Sequence, residues 1–252
     1  PDCRSFNNAI DACAKAGDVD QAVQLLHEAT SARVEGTVVA YTSVINACAK
    51  AERPQQAEFW LQEMEARGVV PNLASYVSVI DACARAGRPP EEAEGWLRKM
   101  ELARITPNAA AYNAVINACA KAFESAKAAQ VFERMLVAAV APTTTTYGSL
   151  TDACARKGDA EGAIAWLRQM QEASLHPRVE NYTSVVGAYA TRRDPEGAAE
   201  WLDTMELERA LPNIVTFTNA IQACARARPA RRDLAERHLR RMVAGGMQPD
   251  AV

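Results

Sequence analysis

The chain has 252 residues, 49% of them apolar and 23% charged, and its 28 Lys+Arg against 31 Asp+Glu give a net charge of −3. That apolar share is ordinary for a folded chain and excludes disorder. No apolar run nears the roughly 18 residues of a membrane span, which excludes membrane insertion, and the mild acidity lacks the overall basic footprint usual in a nucleic-acid domain.

The chain opens on Pro1-Asp2 with no signal peptide or Arg/Ser-rich presequence. It reads as a window of a longer array, with any targeting segment outside it. Self-similarity at a period of 35 residues runs from end to end, the signature of a stacked repeat protein. Seven copies follow one another, at 3–37, 38–72, 73–108, 109–143, 144–178, 179–213 and 214–250. Tyr41, Cys48, Lys50, Trp60, Met64 and Pro71 of the second copy return in the third as Tyr76, Cys83, Arg85, Trp96, Met100 and Pro107. The fourth brings Tyr112, Cys119, Lys121, Met135 and Pro142, and the fifth Tyr147, Cys154, Arg156, Trp166, Met170 and Pro177.

Each copy is predicted to be two helices. Tyr41, Val44, Ile45 and Cys48 form one apolar helical stripe, and Ala57, Trp60, Leu61 and Met64 repeat its spacing. Arg53-Pro54 divides them, because Pro suits the first turn of a helix. One hairpin cannot bury both stripes, so stacking of neighbours must. The third copy carries one extra residue near Gly87-Arg88-Pro89-Pro90 and the seventh two near residues 228–232. Both insertions fall between the paired helices, where length is tolerated.

The Trp register (Trp60, Trp96, Trp166, Trp201) and the Met register four residues on (Met64, Met100, Met135, Met170, Met205, Met242) read as core rather than as a cofactor box. Six Cys (Cys13, Cys48, Cys83, Cys119, Cys154, Cys224) share a third register, with Tyr189 in the sixth copy. No C-x-x-C pair accompanies them, so they read as small apolar packing residues in a reducing compartment and not as metal ligands. His27, His176 and His238 share no register. With no nucleophile elbow or phosphate-binding Gly loop, the chain reads as a non-enzyme with no cofactor, no metal and no small-molecule substrate.

A tetratricopeptide array would place W-x-x-L-G early in the first helix; here that helix opens with Tyr-x-x-[Val/Leu], and Trp sits in the second. Aromatic-x-x-x-x-[Asp/Asn]-Ala-Cys-Ala-[Lys/Arg], then W-L-x-x-M, then Pro-[Asn/Asp] closing each 35-residue unit resembles the pentatricopeptide repeat, across nearly the whole chain. The resemblance implies an all-α fold, a right-handed α-solenoid of helix-turn-helix repeats, and single-stranded RNA as the partner, about one base per repeat. It also implies an organellar setting, mitochondrion or chloroplast, in RNA processing, stabilisation or translation. The alternative is a scaffold subunit that grips protein partners in a large assembly.

By resemblance, bases are specified by the residue after the first-helix aromatic together with the closing residue of the repeat. Those pairs are Asn7/Thr37, Thr42/Asn72, Val77/Asn108, Asn113/Thr143, Gly148/Arg178, Thr183/Asn213 and Thr218/Asp250. The implied preference is adenine for Thr/Asn and guanine for Thr/Asp, a weak site of the form Y-A-N-Y-N-A-G, with Gly148/Arg178 matching no pair. The implied phosphate contacts are Lys15, Lys50, Arg85, Lys121, Arg156 and Arg226. Each set has a plainer reading. Asn72, Asn108, Thr143, Asn213 and Asp250 also suit a helix N-cap. Asp11–Lys15, Asp81–Arg85 and Asp152–Arg156 suit intrahelical ion pairs, which leaves Lys50, Lys121 and Arg226 as the better phosphate candidates. The family usually puts Val or Ile two residues before the aromatic to wedge between bases; here Arg4, Val39, Ala74, Ala110, Thr145, Glu180 and Val215 stand there.

Overall fold

The computed structural model describes residues 3–31 and 36–248. Those residues form fourteen helices and no strand: α1 (Cys3–Ala16), α2 (Val19–Ser31), α3 (Val38–Lys50), α4 (Pro54–Ala66), α5 (Leu73–Arg85), α6 (Pro90–Leu102) and α7 (Ala109–Lys121), then α8 (Ser125–Val137), α9 (Thr144–Lys157), α10 (Ala160–Glu172), α11 (Val179–Arg192), α12 (Pro195–Leu207), α13 (Ile214–Arg226) and α14 (Arg232–Ala244). The chain divides into two compact units, 1–122 and 123–252. In the first, α1, α3, α5 and α7 lie side by side in sequence order, and α2, α4 and α6 each pack against the helix before and the helix after. The second is built alike, with α9, α11 and α13 adjacent and α10 and α12 each packed on both neighbours.

The expected insertions fall where the sequence puts them. Three residues separate α3 from α4, four separate α5 from α6, and five separate α13 from α14. Pro54, Pro90 and Pro195 open their helices at the first position, where a missing N–H costs nothing.

The apolar registers are the core. All six Met of the shared register are at most 2% exposed, and Trp60 and Trp96 are buried. Trp166 and Trp201 are only half-buried, packed against the edge of a cluster holding Cys154, Ala163 and Val185. The Cys register is buried from Cys48 onward, Cys13 is half-buried, and none of the cysteines forms a disulfide among the described residues. Burial pushes the Cys48 and Cys154 thiols up to about 11. Burial, then Glu58, pushes Cys83 up to about 12, so these thiols stay protonated and unreactive at neutral pH. Tyr189 takes the Cys register in the sixth copy because Gly197 leaves room: a Cβ there would lie 2.2 Å from the tyrosine ring. No described helix is long and apolar enough to cross a membrane.

Candidate functional site

In each unit the N-terminal turns of the first helices carry predicted base-specifying residues. Four N–H groups at a helix start lack an intrahelical partner, and the closing residue of each copy supplies an acceptor. Thr37, Asn72, Asn108, Thr143 and Asn213 have extended backbone, and each side chain accepts from the N–H three residues on, at Ala40, Ser75, Ala111, Thr146 and Thr216. The capping reading therefore holds for all of these, Thr37 included. Asp250 lies outside the described residues.

Capping does not consume these side chains, and it orients them. Thr42 Oγ1 lies 2.8 Å from Ser75 Oγ, and Ser75 Oγ is 3.0 Å from Asn72 Oδ1, so the pair Thr42/Asn72 is joined through the third residue of the next helix. Thr183, Thr216 and Asn213 repeat the arrangement at 2.8 and 2.9 Å. Asn7/Thr37 touch directly, with Thr37 Oγ1 donating to Asn7 Oδ1 at 2.9 Å. In the fifth copy the bond runs the other way. Arg178 has no acceptor to offer, and its own N–H donates to Asn181 Oδ1 at 2.8 Å. Asn181 Nδ2 then lies 3.3 Å from where a Cβ on Gly148 would stand.

Val77 is half-buried on α5 and Asn113 half-buried on α7. Thr218 is exposed, and its hydroxyl donates to the Ile214 carbonyl at 2.8 Å. Ser75, Thr216 and Asn181, which complete the chains, were missed by sequence reasoning. The same register also holds Ala40 and Ala111, so it reads as a small packing position.

The six basic candidates divide in two. Lys15–Asp11, Arg85–Asp81 and Arg156–Asp152 are ion pairs at 2.6, 2.6 and 2.7 Å, and the Lys15 contact holds the Asp11 carboxyl below its usual value. Lys50 and Arg226 are exposed and form no ion pair among the described residues, although Lys50 also helps lower the Asp11 pKa; Lys121 donates to the Arg85 carbonyl at 3.0 Å. Val39 and Val215, at the wedge position, are 59% and 57% exposed. In the second unit a hollow of about 320 Å³ on the α9, α11 and α13 face gathers Thr183, Val215, Asn219, Asp152 and Arg156. A larger hollow, about 830 Å³, lies among the turns at 174–178 and 208–210. Tyr182 and Gln171 in its wall already bond Glu208.

Chemically, the first helices of each unit present hydroxyl and amide groups one helix apart, an exposed valine and exposed cations: groups able to read a base edge, stack on it and meet a phosphate.

A family model describing the pentacotripeptide-repeat region of PRORP matches residues 3–170 and 108–232. Among solved structures, the pentatricopeptide repeat protein PPR10 in complex with an 18-nt psaJ RNA element is 26% identical, with a TM-score of 0.70 over 99% of this chain and 34% of that one. PPR10 from maize matches at 23% identity and a TM-score of 0.66, over 97% and 40% of the two chains. The PPR domain of Arabidopsis thaliana protein-only RNase P 1, in complex with tRNA, matches at 20% and 0.59, over 69% and 91%. The chain thus spans about a third of the PPR10 chain it matches, and no curated protein matches it.

Proposed function

The chain belongs to the pentatricopeptide repeat family, and we propose that it binds single-stranded RNA through the first-helix face, selecting bases and performing no chemistry of its own. The observation that carries this is the pair of hydrogen-bonded chains Thr42–Ser75–Asn72 and Thr183–Thr216–Asn213. They hold the candidate side chains of two copies in one geometry, and exposed Val215 shares a hollow with Thr183. Lys50, Lys121 and Arg226, which have no acid four residues before them on their own helices, supply the phosphate contacts. The net charge of −3 does not oppose this, because Asp11, Asp81 and Asp152 on these helices are paired with Lys15, Arg85 and Arg156, which leaves Glu180 as the remaining acid at the wedge position. The family supports the assignment to an organelle, mitochondrion or chloroplast, and to the processing, stabilisation or translation of its transcripts.

Titration of the chain with the RNA U-A-C-U-C-A-G and with the same RNA annealed to its complement tests the proposal. Single-strand binding is expected, with little for the duplex, whose Watson–Crick edges are occupied. Equal binding of both forms would contradict base reading, and binding of neither would favour a protein scaffold.

A further inference from the structure

The hydrogens in the two joined chains can be counted. Asn72 Oδ1 has two lone pairs, and both are taken, by the Ser75 N–H and the Ser75 hydroxyl, each at 3.0 Å. Ser75 has one hydroxyl hydrogen, and it is spent there; the other acceptor near it, Met64 Sδ, is weaker and at 4.0 Å. The 2.8 Å contact between Thr42 and Ser75 must then use the hydrogen of Thr42. What Thr42 Oγ1 presents outward is lone pairs alone, and what Asn72 presents outward is its Nδ2 hydrogens.

The second unit repeats the count. Thr216 N–H and Thr216 Oγ1 both donate to Asn213 Oδ1 at 2.9 Å. The Thr183 hydrogen goes to Thr216 or to the Val179 carbonyl, each at 2.8 Å, and is spent inside in either case. Ser75 and Thr216 are fully buried, so no solvent competes for their hydrogens.

We propose that Ser75 and Thr216 are specificity-determining positioning residues that lock the neighbouring Thr42 and Thr183 hydroxyls as acceptors and the Asn72 and Asn213 amides as donors. A base that fits this fixed polarity carries an amino group beside an unprotonated ring nitrogen on its Watson–Crick edge. Adenine and cytosine do. Guanine and uracil carry a carbonyl beside a ring N–H, and they set acceptor against acceptor and donor against donor. A mismatched polar group costs far more than a merely absent contact.

The first copy supplies a contrast. Ala40 stands at the relay position, so Thr37 donates straight to Asn7 Oδ1. Asn7 Oδ1 keeps its second lone pair while one Nδ2 hydrogen faces Cys3 Sγ at 3.6 Å, so this pair is not locked into a single polarity. The third residue of the following helix thus decides whether the pair is locked.

This inference rests on the RNA-binding reading, and its test separates the two. Affinities of the parent chain, Ser75→Ala and Ser75→Thr are measured for U-A-C-U-C-A-G and for the same RNA with its first A replaced by G. Both bases are purines, so size is held constant. Ala at this register is native at Ala40 and Ala111, so Ser75→Ala is expected to fold. The parent should prefer A about tenfold or more, by analogy with bidentate base readout. Ser75→Ala frees the Thr42 hydroxyl to turn either way and should bring the ratio within about twofold; Ser75→Thr, which restores a hydroxyl, should recover it. An unchanged A-over-G ratio in Ser75→Ala overturns the relay while leaving RNA binding intact. A parent that binds neither RNA overturns the underlying reading, and the relay with it.

Discussion

The α3–α5 junction and the α9–α11 junction share a backbone and differ where it meets the solvent-facing turn. At the first, Thr42, Ser75 and Asn72 form a closed hydrogen-bonded chain, and Asn72 caps α5 with its own side chain. At the second, Gly148 has no side chain, Arg178 makes no side-chain cap, and Asn181 reaches back to hold the Arg178 N–H. The helix starts equally well in both. A helix N-terminus asks only that its loose N–H groups find partners, and an asparagine at either end of the turn can serve. Capping alone therefore does not require asparagine at the closing position, and what the first junction has in addition is a fixed array of donors and acceptors facing outward.

The largest expected effect probes the packing beneath these junctions. Trp96 is buried, with its indole N–H on Glu58 at 3.2 Å, whereas Trp166 is half-buried against Phe132. Trp96→Ala should cost about 3–5 kcal/mol in chemical denaturation, and Trp166→Ala clearly less. Equal losses would mean that the two units bury this register alike.

The next effect converts one junction into the other. Gly148→Thr with Arg178→Asn and Asn181→Ser should install a preference for A over G at the fifth base of about tenfold. Keeping Asn181 should blunt the gain, because its Nδ2 sits 3.3 Å from the new Cβ. Base competition measured for both variants decides this; no preference in the triple variant would mean the chain of hydroxyls is not what reads the base.

A smaller effect separates the caps. Asn72→Ala removes a capping acceptor and should cost about 1 kcal/mol, read by thermal melting. Arg178→Ala removes none and should stay within about 0.5 kcal/mol.

The repeat period and the paired apolar stripes made the helices, their turns and the two insertions legible in the sequence. They also placed the Met and Cys registers in the core. The half-exposed Trp166 and Trp201 were not legible, because an identical letter in an identical register gives no warning that its neighbours have changed. Nor was the Tyr189–Gly197 exchange, in which a bulky residue is accommodated by the loss of a side chain on the adjoining helix. The candidate pairs could be named from resemblance, but their linkage could not. Ser75 is 33 residues from Thr42, and its register varies among Ala, Ser, Thr and Asn, a pattern that resembles indifferent packing until the hydrogens are counted.

Acid should also distinguish the units. His238 on α14 is 1% exposed, and neither ring nitrogen has a partner. Burial, then Arg241 and Arg237, holds its pKa below 6.5, with Asp203 opposing. The unfolded chain takes the proton first, so stability is full above about 6.5 and falls as pH drops toward the lowered folded value. Melting from pH 7.5 to 5.5, as a rough range, should show this slope, and His238→Phe should flatten it.

The most direct measurement is the salt dependence of RNA binding by the parent chain and by the variant carrying Lys50→Ala, Lys121→Ala and Arg226→Ala. Affinity of the parent for U-A-C-U-C-A-G should fall linearly with log salt, and the triple variant should lose about 0.7 of slope for each cation removed. The matched variant at Lys15, Arg85 and Arg156 should lose less, since those cations already face Asp11, Asp81 and Asp152. A parent slope unchanged by the first variant would show that phosphate does not run along this face.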